Sequence, residues 1–194
     1  MVNRQSKSRD TRSELRSAAI RLGVRDGIDG ASIRVIAREA GVTEGAVYKH
    51  FSNKDDLIRD AYSSIVLEMA RDKATLVRAG LPFAAAVRAW IKFTYEYFDG
   101  NRDAFTYVLL MPHRMADRLG DPYTIQGELF NELFANAQGQ SEVIDMEPDL
   151  ALTVFSGLVL GVPLKINDGS LSGSAEQYTD AIAEAVLRVF TPAS

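Results

Sequence analysis

Between Ser32 and Phe51 the chain reads SIRVIAREAGVTEGAVYKHF, and its last part gathers hydrogen-bond donors on a short segment: Tyr48, Lys49 and His50. Val47 and Phe51 share one side of that segment at helical spacing, so the three polar tips fall on the other side. There they can donate to phosphate oxygens or to base edges. Gly45 and Ala46 precede them, small enough for the backbone to come close to a bound molecule. This is the chemistry of recognition, not of bond making. The chain offers no Ser/His/Asp or Cys/His set, no phosphate-cradling glycine loop and no paired-carboxylate motif, so an enzyme is not expected and no cofactor is called for. His113 and Asp117 stand at i, i+4, a spacing that can bind a metal, but a site needs three or four ligands and no third presents itself. No metal is therefore expected, and a polar role in a pocket or at a helix end suits His113 better.

The elements that must position those donors are helices. Ser32 can cap a helix whose apolar face is Ile33, Ile36, Ala37 and Ala40, and Gly41 stops it. Thr43 can cap a very short helix running to about Phe51. Two helices joined by so tight a turn make a helix-turn-helix, whose second helix enters the major groove of DNA. Before them, Thr11 and Glu14 have capping-box spacing at the start of a first helix, with Leu15, Ala18, Ala19 and Leu22 on one face and a break at Gly27 to Gly30. After them, Ser52 with Asp55 opens a long fourth helix from about Asn53 to Leu76. Turn clusters then bound helices near 83–98, 102–111, 123–138, 149–166 and 174–190, with no alternating strand pattern anywhere. The fold class is all-α: a three-helix head, residues 1–52, and a helical body, residues 53–194.

Bulk numbers agree with that division. Residues 1–60 hold twelve Lys/Arg against nine Asp/Glu, whereas residues 61–194 hold ten against seventeen. A basic end on an acidic body suits a protein that touches a polyanion with one end only; a solvated basic tail explains the charge equally well. The 194 residues are 46% apolar, enough for a core, and include no cysteine, which excludes disulfides and thiolate metal sites. No charge-free apolar run of membrane-spanning length and no apolar leader segment is seen, so a cytoplasmic location is expected.

Residues 11–58 resemble, without a gap, the N-terminal domain of TetR-type bacterial transcription regulators. The likeness rests on Gly27-Ile28, Ser32, Ile36-Ala37 to Ala40-Gly41-Val42, Gly45-Ala46-Val47-Tyr48, His50-Phe51, and Asn53-Lys54-Asp55-Asp56-Leu57. The resemblance implies that Thr43, Glu44, Gly45 and Ala46 meet bases and phosphates, that Tyr48, Lys49 and His50 contact phosphates, and that Ser32 and Lys54 touch the backbone at helix starts. Glu44 can accept from a cytosine amine or simply place a negative charge at a helix N-terminus. Two positions depart from the family pattern. Gly23 stands where an aromatic is usual, so Val24 or a neighbour must fill the space, and Val35 replaces an acidic residue that often completes the cap after Ser32.

The body carries many aromatics, among them Trp90, Phe93, Tyr97, Phe105, Phe130 and Phe134, with Met111 and His113 in a turn. They are either plain core or the lining of a small-molecule site between helices, and the resemblance implies the latter for some of them. Residues 151–164 are apolar nearly all round, with Gly157 and Gly161 four apart. The last helix repeats Tyr178, Ala181, Ile182, Ala185, Val186, Val189 and Phe190 at helical spacing. These two helices can complete an intramolecular core or form a four-helix bundle with a second copy, and the resemblance implies the homodimer. It further implies two recognition helices about 34–36 Å apart on palindromic operator DNA, and a small apolar or aromatic ligand that releases them through the fourth helix.

Overall fold

The computed structural model describes residues 4–27, 30–110 and 124–192, and among these it contains helices and no strand. The chain divides into two compact units. Unit one comprises described residues of 1–65 and 103–110, and unit two those of 66–102 and 124–192.

In unit one, α1 runs Arg4–Asp26, α2 Ile33–Glu39 and α3 Glu44–Val47, followed by the first part of α4, Lys54–Arg78. The first helix starts well before the Thr11 cap that its sequence spacing predicts, because Arg, Gln and Lys upstream are good helix formers with no breaker among them. The cap of α4 also sits one residue later than the Ser52–Asp55 spacing predicts. Asn53 Oδ1 accepts from the Asp56 amide at 2.9 Å, and Asp56 reaches back to the Ser52 amide at 2.8 Å. Leu15, Ala18 and Leu22 of α1 meet Ile36, Ala37, Val47, Phe51 and Leu57 in one core cluster, with Ile33, Val35, Ala40 and Val42 packed at its margin. The α6 helix, Arg102–Phe105, continues as a π-helical turn, Thr106–Leu110, where a single regular helix is predicted.

Unit two contains the rest of α4, α5 (Phe83–Gly100), α7 (Ile125–Gly139), α8 (Pro148–Asn167) and, after a 3-10 turn at Glu176–Tyr178, α9 (Thr179–Phe190). Its centre is aromatic: Phe83, Tyr95, Phe98, Phe130, Phe134 and Phe190 are essentially without exposure. Glu147 caps α8, accepting from the Asp149 and Leu150 amides at 3.0 and 2.8 Å. Asp99 does the same for the final segment, accepting from Ala175 and Glu176 at 2.7 and 3.0 Å. With 20 residues and a mean hydropathy of 1.6, α8 is longer than the apolar run read from sequence, and by length and composition alone it could cross a membrane. Only 33% of that apolar stretch is buried within the chain.

Candidate nucleic-acid interface

The turn between α2 and α3 is built by backbone and cap chemistry. Ser32 Oγ accepts from the Val35 amide at 3.3 Å, so the cap closes on the backbone without the acidic side chain that Val35 replaces. Val35 instead packs against the core. At the other end Gly41 adopts φ +69°, a left-handed value that glycine takes without a Cβ clash. Its amide bonds to Arg38 O at 3.2 Å and the Val42 amide to Ala37 O at 2.9 Å, the paired bonds of a Schellman stop. Thr43 Oγ1 then accepts from the Ala46 amide at 3.3 Å and starts α3.

Regular helix ends at Val47, sooner than the sequence predicts, and Tyr48, Lys49 and His50 follow in tight turns held by His50 N and Phe51 N to Val47 O at 2.9 and 3.0 Å. Val47 and Phe51 still anchor the segment, 0% and 2% exposed, while Tyr48 is 58% exposed. Thr43, Glu44, Gly45 and Lys49 are exposed with it, as is Ser32, whereas Ala46, His50 and Lys54 are half-buried. The His50 ring lies against Phe51, centroids 6.4 Å apart. The structure thus brings Thr43 to His50 onto one outward segment, with Ser32 and Lys54 at the starts of its neighbouring helices.

Ionic contacts brace this segment from behind. Asp60 of α4 takes hydrogen bonds from Arg16 and, at 2.6 Å, from Arg12, and the Arg12 guanidinium also lies 5.2 Å from the Phe51 ring centre. Burial works to raise the Asp60 carboxyl, but the hydrogen bonds from Arg16 and Arg12 outweigh it and hold it below its ordinary range. The space left by Gly23 is met from outside α1. Tyr107 fills it from the π-helical turn: a Cβ at Gly23 would stand 2.6 Å from Tyr107 Cε2.

The aromatics singled out in the body do not form one set. Phe105 belongs to unit one and is fully buried. Met111 and His113 lie outside the described residues. In unit two, Phe130 stacks on Phe155 at 4.4 Å and Trp90 meets both edge-on at 6.1 and 6.0 Å, with Phe134 stacked beyond Phe130 at 5.9 Å. Phe93 and Tyr97 stand only at the margin of the buried face of α5, which runs through Val87, Trp90, Ile91, Thr94, Tyr95 and Phe98. Tyr97 Oη reaches Glu68 at 3.4 Å.

Sequence reasoning missed Lys73. It is 3% exposed, donates to Gln126 Oε1 at 2.7 Å, and stands 4.9 Å from the Trp90 ring centre. Burial pushes its ammonium down to about 7. A signal was present: Lys73 interrupts an otherwise apolar stripe on α4 formed by Val66, Met69, Ala70, Leu76 and Val77.

Comparison with known proteins bears on the whole chain. Residues 15–61 match the model of the bacterial regulatory proteins of the tetR family. The transcriptional regulator SrpR of Pseudomonas putida is 37% identical over 170 residues, covering 81% of this chain and 75% of the relative. The nicotine-responsive transcriptional repressor HdnoR of Paenarthrobacter nicotinovorans is 42% identical over 62 residues, 32% of each chain. Matches to several other curated relatives likewise span less than half of those proteins. Among known structures, the transcriptional regulator FadR from Bacillus subtilis, in complex with stearoyl-CoA, shares the fold with a TM-score of 0.79 at 12% identity, over 90% of this chain and 97% of that one. The head motif, the all-helical fold and the long match to SrpR agree, and this chain belongs to the tetR family of bacterial regulatory proteins.

Proposed function

We propose that this chain is a sequence-specific, operator-binding transcription repressor that acts as a homodimer in the cytoplasm and is released from DNA by a small apolar or aromatic ligand. The observation that carries the DNA-binding role is the two-sided segment after Gly41: Val47 and Phe51 are buried at 0% and 2% while Tyr48 is 58% exposed, leaving Tyr48 and Lys49 outward. Residues 1–52, with Lys54 at the start of α4, supply the DNA contacts: Thr43, Glu44, Gly45 and Ala46 at the groove, Tyr48, Lys49 and His50 on phosphates, and Ser32 and Lys54 at the flanking backbone. Residues 53–194 supply the ligand and dimer functions.

The dimer reading rests on α8 and α9. Among the described residues, a Cβ placed at Gly157 or Gly161 would meet nothing within 4 Å, so no described residue covers the small-residue stripe. Leu150, Leu164 and Val189 are 51%, 48% and 40% exposed on the same two helices. A second copy would cover that apolar surface by twofold symmetry, and an α8 so covered does not need a bilayer. The names of a nicotine-responsive relative and of a structural neighbour in complex with stearoyl-CoA support a small-molecule effector. Its binding energy would reach the head along α4, whose residues 54–65 lie in unit one and 66–78 in unit two.

The test is a gel-shift titration on the palindromic DNA nearest the chain's own gene. Lys49→Ala should weaken binding by about tenfold and lower the salt dependence by about one phosphate contact, and Tyr48→Ala should weaken it comparably, with helicity unchanged in both. Unaltered affinity in both variants removes this face from DNA recognition.

A further inference from the structure

Lys73 occupies a place where an aliphatic residue would serve the fold better. Its neighbours on the buried stripe of α4 are all apolar, and a methionine there would need no hydrogen bond. A polar group that breaks the local pattern at such a position points to a functional or strained site. Among the described residues Lys73 has no carboxylate partner; its contacts are one acceptor, Gln126 Oε1, and the Trp90 ring.

Gln126 is the second polar group at this place. It lies on the inward face of α7, one turn before Phe130. Its oxygen must point at Lys73, since the reversed amide would set donor against donor. That orientation leaves Gln126 Nε2 beside the ammonium, and among the described residues this buried atom has no acceptor. Two adjoining groups, one cationic and one neutral, therefore hold unused N–H bonds, and what they lack is an acceptor with negative charge. A carboxylate supplies two oxygens in a fork, one for Lys73 Nζ and one for Gln126 Nε2. The surroundings choose the remainder of the ligand. Trp90 abuts the stacked Phe130 and Phe155 rings, so a bare ion would lose its hydration without compensation, whereas an apolar tail gains by burial.

We propose that Lys73 and Gln126, against the face of Trp90, form the head-group end of a ligand site in unit two and that its ligand is an amphipathic carboxylate. This rests on reading unit two as the ligand-binding part of the chain and gives that ligand its chemistry. The depressed ammonium is consistent with it, because an arriving anion restores a charge that burial alone disfavours.

Trp90 is the chain's one tryptophan, so its emission reports events at this place. The full-length protein is titrated with decanoate, decan-1-ol and decylamine below their micellar concentrations, by tryptophan emission and by calorimetry. Wild type should bind decanoate about tenfold or more tighter than decan-1-ol, the gain expected of a hydrogen bond to a charged group. Lys73→Met should bring decanoate down to the level of decan-1-ol. Gln126→Leu should remove part of the preference, which guards against a result peculiar to one variant. If decan-1-ol or decylamine equals or exceeds decanoate in wild type, or if Lys73→Met keeps the carboxylate preference, the charged site is wrong while unit two remains a ligand-binding part. If none of the three compounds gives heat or changes emission, the ligand-binding reading fails as well.

Discussion

Gly23→Ala is the substitution whose sign the structure decides against expectation. Gly23 lies inside α1, where replacing glycine by alanine ordinarily stabilises a helix by about 1 kcal/mol. Here the new methyl would stand 2.6 Å from Tyr107 Cε2 and 3.0 Å from Cδ2. The obstacle is the body of a ring that is 1% exposed, not the free end of a flexible chain. Overpacking of this kind costs about 1–3 kcal/mol, so Gly23→Ala should come out destabilising by roughly 0–2 kcal/mol. Removing the ring separates the two effects. Tyr107→Ala should cost about 3 kcal/mol or more through the cavity it leaves. In that background Gly23→Ala should instead stabilise by about 1 kcal/mol, because only the helix term remains. The difference is a coupling of about 1–3 kcal/mol, measurable by urea unfolding of the four proteins in a double-mutant cycle. Gly23→Phe with Tyr107→Ala should recover part of the loss by filling the same volume from the other side. The same Gly23→Ala effect with and without the Tyr107 ring would refute the account of how this space is filled.

Two further outcomes follow from charges. Lys73→Met should stabilise the protein, because a drop of the ammonium from 10.5 to about 7 corresponds to about 5 kcal/mol of penalty for the charged form. The folded lysine binds its proton more weakly than the unfolded one, so that penalty is complete below pH 7 and shrinks as pH rises from there toward 10.5. The gain should therefore be largest at about pH 6 and nearly gone by about pH 10, and a gain that does not change with pH would contradict it. Asp60→Asn should cost unit one about 1–2 kcal/mol near neutral pH, less than a buried pair because both arginines can regain water. The depressed Asp60 carboxyl contributes above its ordinary value of 3.8 and loses that contribution as pH falls below it, so variant and wild type should converge in acid unfolding.

Most of unit one was legible because its determinants are local. Ser32, Gly41 and Thr43 set caps and a stop within a few residues of one another, and the apolar positions of α1 and α2 recur at helical spacing. The outward placement of Tyr48 and Lys49 follows from Val47 and Phe51 in the same way. Boundaries were less legible. The early start of α1, the shift of the α4 cap to Asn53 and the π-helical turn at Thr106 each turn on a choice between near-equal local options.

The body was legible as apolar helices and little more. Its aromatics could be named but not sorted, since Phe105 and Trp90 look alike in sequence and belong to different units. Composition and periodicity alone determined that this chain is helical, carries a helix-turn-helix and ends in two apolar helices. Only the tertiary structure decided that Tyr107 fills the gap at Gly23 and that Lys73 meets Gln126 beneath Trp90. The physical reason is range. Helical periodicity and capping act within a few residues, while burial and hydrogen-bond satisfaction depend on groups many tens of residues apart that meet only after the chain has folded.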